Sequence, residues 1–119
     1  MLSRSSSAKV WLAVGSTDLR KSIDGLAITV QMQFKLDPFN DGIFVFCNRA
    51  CDKLKILYWY NNGFWLYYRR LERGRFKWPT STGNADTVCI SERELSWLLE
   101  GLDIHERGGH KAVKQRKLI

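Results

Sequence analysis

The run from Arg49 to Pro79, RACDKLKILYWYNNGFWLYYRRLERGRFKWP, decides how the rest of this chain is read. It carries nine of the chain's fifteen aromatic rings: Tyr58, Trp59, Tyr60, Phe64, Trp65, Tyr67, Tyr68, Phe76 and Trp78. It also carries eight cations (Arg49, Lys53, Lys55, Arg69, Arg70, Arg73, Arg75, Lys77) against two acids, Asp52 and Glu72. Two aromatic runs, Leu54–Tyr60 and Phe64–Leu71, flank Asn61-Asn62-Gly63. Asn-Gly between such runs signals a β-hairpin, because both residues tolerate the positive φ of a type I′ turn. With Asn62-Gly63 as the loop, Tyr60 faces Trp65, Tyr58 faces Tyr67 and Ile56 faces Arg69, while Leu57, Trp59, Phe64, Leu66 and Tyr68 share the other face. That second set reads as the core side. Tyr58, Tyr60, Trp65 and Tyr67 stay open between packing in a core and stacking or docking on a partner. Aromatic residues favour strands and stabilise a small domain when buried, but rings beside Lys and Arg also suit nucleic-acid bases and phosphates.

Downstream of the hairpin, Glu72-Arg73-Gly74-Arg75 reads as a turn, Phe76–Trp78 as a short strand, and residues 80–86 as a polar loop. Val88–Ile90 is a further short strand. Ser91-Glu92-Arg93-Glu94 is a capping box, in which hydroxyl and carboxylate each take an unpaired backbone N–H. Leu95, Leu98, Leu99 and Leu102 then form a helical stripe that Gly101 can end. Upstream, Lys9–Val14 reads as a strand and Ile43–Cys47 as a buried one. Between them Leu19, Ile23, Leu26, Ala27, Val30 and Phe34 recur at helical spacing, with Ser16 or Thr17 as cap and Asp37-Pro38 as terminator. Gly25 inside that helix suggests close approach by a neighbouring element. The fold class expected is α+β: a single domain with a mainly antiparallel β-sheet and two amphipathic helices available to cover one face. Residues 1–7 are expected to be a mobile N-terminus, 8–104 the domain, and 105–119 a basic flexible tail hinged at Gly108-Gly109.

At 119 residues the chain can bury one core. Its 45% hydrophobic content is that of a globular protein, and no apolar run reaches the ~20 residues that span a bilayer. MLSRSSSAK lacks the apolar stretch of a signal peptide, so a cytoplasmic protein without membrane attachment is expected. Cys47, Cys51 and Cys89 then read as free thiols. Cys47 and Cys51 with His105 and His110 lack the tight spacing of a zinc site, so no metal or other cofactor is expected.

The net charge of +7 is uneven: residues 49–79 hold +6 and residues 105–119 hold +4, separated by −4 over 80–104. Concentrated positive charge points to a polyanionic partner. Five cations, Arg69, Arg70, Arg73, Arg75 and Lys77, run with one acid among them and favour phosphate contact. The acids are scattered rather than grouped to hold catalytic metal ions, and no Ser/His/Asp set or phosphate-binding glycine loop is evident, so no catalytic residues are assigned and no enzyme is expected.

The segments STDLRKSIDGL (16–26), DPF (37–39), FVFCNR (44–49), KILYWYNNGFWLYYRRLERGRFKWP (55–79) and LLEGLD (98–103) resemble, in order and spacing, one known family. It is the TnpB accessory family, encoded by the second open reading frame of the insertion sequence 66 group of bacterial transposable elements. Tyr60 replaces an acid usual there, and Ala50-Cys51 a more basic pair. The resemblance implies an accessory factor in transposition, encoded beside a separate transposase that carries the catalytic acids. DNA, at the element ends, is the partner inferred from charge. Arg69, Arg70, Arg73, Arg75 and Lys77 would contact phosphates, and Lys111, Lys114, Arg116 and Lys117 would form a basic arm. The other reading is a protein adaptor whose exposed rings dock on the transposase or on a second copy. GFWLYY is also similar to an RNA-recognition strand, but a long hairpin ahead of the second helix argues against that module.

Overall fold

A computed structural model describes residues 8–80 and 83–101. Its frame is one five-stranded sheet in the order β4-β3-β2-β1-β5. The strands are β1 (Val10–Ala13), β2 (Ile43–Cys47), β3 (Lys53–Tyr60), β4 (Gly63–Arg70) and β5 (Thr87–Ile90). Only β1 and β2 run parallel; the β2–β3, β3–β4 and β1–β5 pairs are antiparallel. A parallel pair needs a crossover, and the first helix provides it. That helix, α1 (Ile23–Ile28), runs on into a π-helical turn, Thr29–Gln33, and α2 (Glu92–Leu99) follows β5. The α+β class expected from sequence is the one observed.

The two helices do not share a face. Val10, Leu12, Ile43, Val45, Cys47, Leu54, Ile56 and Tyr58 pack with Leu95 and Leu98 of α2 and with Phe76 and Trp78. On the opposite face Ala13, Phe44, Phe46 and Leu57 pack with Leu26 and Val30. The signal for this is the unbroken run IFVFC of β2, all five residues buried. A strand covered on both sides has no reason to alternate apolar with polar.

The first helix is shorter than its apolar stripe. Residues 17–22 spend their backbone groups elsewhere: Thr17 N–H donates to Cys47 O at 2.8 Å, and Lys55 Nζ donates to Leu19 O at 2.7 Å and Lys21 O at 3.0 Å. Asp18, which a cap at Ser16 or Thr17 would put in the first helical turn, instead accepts from the Arg20 N–H and guanidinium. Ser22, not Ser16 or Thr17, is the N-cap. Leu19 still joins the α1-side core from this loop. The helix ends before Asp37, where Lys35 adopts φ +58. The close approach expected at Gly25 is local: the nearest atoms to a Cβ there would be those of the Lys21 side chain, at 3.2–3.6 Å. The second helix follows expectation, with the Ser91–Glu94 capping box complete and Gly101 at φ +87 beyond its end.

The hairpin register differs by one step from that drawn above. Asn61 and Asn62, at φ +52 and +70, form the loop. Gly63 belongs to β4 opposite Tyr60, so Tyr58 pairs with Trp65, Ile56 with Tyr67 and Leu54 with Arg69. Because the shift moves each partner by two residues, every side chain keeps the face assigned to it. Phe76–Trp78, expected as a short strand, joins no sheet.

Candidate nucleic-acid interface

The basic residues gather because three backbone segments meet at the end of the hairpin away from its turn. Lys53 lies opposite Arg70 in the β3–β4 ladder. Leu71 N–H donates to Asp52 O at 2.8 Å, and Phe76 N–H to Cys51 O at 2.7 Å, so the chain after β4 folds back along the 49–53 turn. That turn is held by Asn48, whose Oδ1 accepts from the N–H groups of Asp52 and Lys53 while its Nδ2 donates to the Asp52 carboxylate at 2.8 Å. This hydrogen bond, with the charge of Lys53 in a smaller part, holds the Asp52 carboxyl below its usual pKa.

The returning segment alternates like a strand although it pairs with none. Phe76 and Trp78 are buried, and Arg75 and Lys77 are exposed. Trp78 Nε1–H reaches Ala13 O at 2.9 Å and Gly15 O at 3.0 Å, and Gly15 N–H donates to Pro79 O at 3.0 Å. Two anchored rings thus hold Arg73, Arg75 and Lys77 outward on fixed backbone, with Gly74 at φ +79 making the bend between them.

Arg69, Arg70, Arg73, Arg75 and Lys77 are all exposed. Arg70 pairs with Glu72 at 2.9 Å, which raises the Arg70 pKa. Both partners of that pair are largely in water, so it contributes little to stability and exchanges readily for another anion. Arg69, Arg73, Arg75 and Lys77 form no ion pair among the described residues. The fold adds Arg49, exposed on the same turn, and Lys53, 3.5 Å from Asp52. Sequence reading left both out of the site; the ladder register that sets Lys53 beside Arg70 is what includes them. Lys55 is not part of it, since its ammonium is committed to the Leu19 and Lys21 carbonyls. Lys111, Lys114, Arg116 and Lys117, like His105, His110 and Leu102, lie outside the described residues.

The four rings left open by sequence share one face of the hairpin in two stacks. Tyr58–Tyr60 and Trp65–Tyr67 both have centroids 5.9 Å apart, with interplanar angles of 18° and 13°. They divide by depth. Tyr58 is buried and is not a surface for bases, which corrects its place in that set. Tyr67 is half-buried against the α2-side core, whereas Tyr60 and Trp65 are exposed. On the other face Phe39 meets Trp59 edge-on at 4.8 Å and lies 5.4 Å from Phe64, a contact from a loop that no sequence period marks. Tyr68, assigned to the core side, is exposed because it lies near the outer end of an edge strand that α1 does not reach.

Among the described residues no group of three or more His, Cys, Asp or Glu is placed to hold a metal ion. Burial, aided by the neighbouring Cys51 thiol, pushes the Cys47 thiol up to about 12. No helix among them is long and apolar enough to cross a membrane.

A family model described as "IS66 Orf2 like protein" matches residues 8–108. The chain belongs to the IS66 Orf2-like family. Two relatives from Sinorhizobium fredii (strain NBRC 101917 / NGR234) align with this member over 103 residues. Uncharacterized protein y4hO is 41% identical, covering 87% of this chain and 88% of its own, and uncharacterized protein y4jC is 33% identical, covering 87% and 86%. No solved structure matches. Membership supports a transposition-related accessory role, in a family not known as catalytic.

Proposed function

We propose that this IS66 Orf2-like protein is a non-catalytic cytoplasmic accessory factor that binds DNA, at the element ends, and assists a separately encoded transposase. The observation that carries the reading is the pinned basic segment. Arg73, Arg75 and Lys77 stand on backbone fixed by Phe76 and Trp78, with Arg69, Arg70, Arg49 and Lys53 beside them and few acids to neutralise them. Cations on fixed backbone lose less freedom when they take up phosphates than cations on a loose loop would. The basic residues at 111–117 add to the same charge.

A fluorescence anisotropy titration with element-end duplex over a salt series tests this. Affinity should fall steeply as salt rises, and Arg73→Glu with Arg75→Glu should weaken binding at least tenfold while the far-ultraviolet circular dichroism stays the same. Affinity indifferent to salt, or untouched by the double charge reversal, would refute DNA binding by this segment. The half-exposed Tyr60, Trp65 and Tyr68 favour a second role beside the first, docking of a protein on the outer hairpin.

A further inference from the structure

We infer that the edge of β4, unpaired among the described residues, is a self-association surface, where a second copy of this chain adds its own β4 in antiparallel register to make one continuous sheet. This deepens the docking role of the hairpin and does not depend on DNA binding.

The strand's hydrogen-bonding phase follows from three observations. Tyr60 and Gly63 close a two-residue loop, so they form a hydrogen-bonded pair. One step beyond the other end, Leu71 N–H donates to Asp52 O, and Asn48 N–H donates to Lys53 O, which assigns the odd-numbered residues of β3 to β2. The odd-numbered residues of β4 therefore bond to β3, and Phe64, Leu66, Tyr68 and Arg70 turn their N–H and C=O groups away from the sheet. β4 is the terminal strand, eight residues long, against four in β5 at the other edge.

Edges of this kind are normally blunted by charge, proline or a bulge. Gly63–Tyr68 has no charge and no proline, and its ladder with β3 is unbroken. Trp65 is 53% and Tyr68 54% exposed, one on each face of the sheet along this edge. The occupant can be named because the edge is complementary to itself. A two-fold axis through Leu66, perpendicular to the sheet, keeps faces matched and pairs open groups with open groups. It sets Trp65 against the partner copy's Tyr67, and Phe64 against its Tyr68, so rings meet rings on both faces. Arg69 comes opposite Gly63 of the other copy and Arg70 opposite Asn62, both uncharged. The two Arg69 positions fall about 20 Å apart at strand rise, beyond the ~8 Å screening length of physiological salt. A parallel self-pairing would instead align the arginines.

The test is sedimentation of the full chain across concentration, together with amide hydrogen exchange. A species at twice the 13.8 kDa chain mass is expected, with exchange at Phe64, Leu66, Tyr68 and Arg70 slowing as concentration rises. Tyr68→Pro removes an outward donor without touching the ladder to β3, and should give monomer with unchanged circular dichroism. Tyr68→Lys, should the proline variant fail to fold, should give the same result. Three outcomes would overturn the proposal. One is a monomer at every concentration. Another is a dimer that persists in a folded Tyr68 variant. The last is exchange protection independent of concentration, which would mean a segment of the same chain covers the edge.

Discussion

At the scale of single residues, the arrangement turns on a few side chains with two jobs. Trp78 is an aromatic filler of the α2-side core and also the donor that ties the basic segment to the end of β1. Trp78→Phe keeps most of the ring and deletes both hydrogen bonds, leaving the Ala13 and Gly15 carbonyls without that donor. A loss of ~1–3 kcal/mol in urea unfolding is expected; an unchanged midpoint would mean the indole N–H does not hold the segment. Cys47 behaves as a buried apolar group whose thiol keeps its proton up to about 12, against an ordinary value of 9.0. The folded state thus retains a proton that the unfolded chain gives up above pH 9. The Cys47 contribution is complete below that pH and declines as pH rises towards the folded value. The stability gap between wild type and Cys47→Ala should therefore narrow between pH 8 and pH 11, and a constant gap would contradict the assignment. Neither behaviour is legible from residue type, because a tryptophan or a cysteine in a strand pattern says nothing of what lies behind it.

At the scale of elements, the hairpin shows how local chemistry and tertiary packing divide the work. Three residues, Asn61, Asn62 and Gly63, offered two loops, and both Asn-Asn and Asn-Gly can supply the two positive φ values of a type I′ turn. The paired strands decide it: with Gly63 in β4, Leu57 and Leu66 meet on the α1 side and Tyr58 and Trp65 on the other. A substitution separates the two registers. Gly63 lacks a positive φ, and a Cβ on it would meet nothing within 4 Å. Gly63→Thr should then leave stability unchanged or raise it by up to ~1 kcal/mol, since glycine weakens a strand interior. A fall in melting temperature of several degrees would restore Asn62-Gly63 as the loop. The first helix teaches the converse. Its apolar stripe from Leu19 to Phe34 is real as a burial pattern, yet only Ile23 onward is helical, because Cys47 O, the Asp18 carboxylate and Lys55 Nζ take the backbone groups that a first turn would use. Periodicity marks which side chains face a core, and competing hydrogen bonds decide the backbone that carries them there.

At the scale of the molecule, the sheet is a partition. Its inner strands are covered on both faces, and its outer hairpin carries rings towards the turn and cations towards the other end. That separation gives the DNA reading a quantitative form. If about five of Arg49, Lys53, Arg69, Arg70, Arg73, Arg75 and Lys77 meet phosphates, the logarithm of affinity for duplex should fall against the logarithm of salt with a slope near −4 to −5. Charge reversal at Arg73 and Arg75 should flatten it by about two units. The self-pairing of β4 centres on Leu66 and meets the basic cluster only at Arg69 and Arg70, so Tyr68→Lys should abolish association while the steep fall of affinity with salt remains.

The amino-acid sequence by itself determined the elements and their chemistry: all five strands of the sheet, the capped second helix, the crowding of charge into 49–79, and the wording of the segments that mark the family. These are local properties, written in periodicity, turn residues and composition. Only the tertiary structure decided which faces the helices cover, which two residues close the hairpin, and that Tyr58 is core while Trp65 is surface. It also brought Arg49 and Lys53 to the basic cluster and kept Lys55 apart from it. The reason is physical. A strand's alternation is the same whether a face meets a helix, water or another chain, so burial is settled by what the rest of the fold places against it.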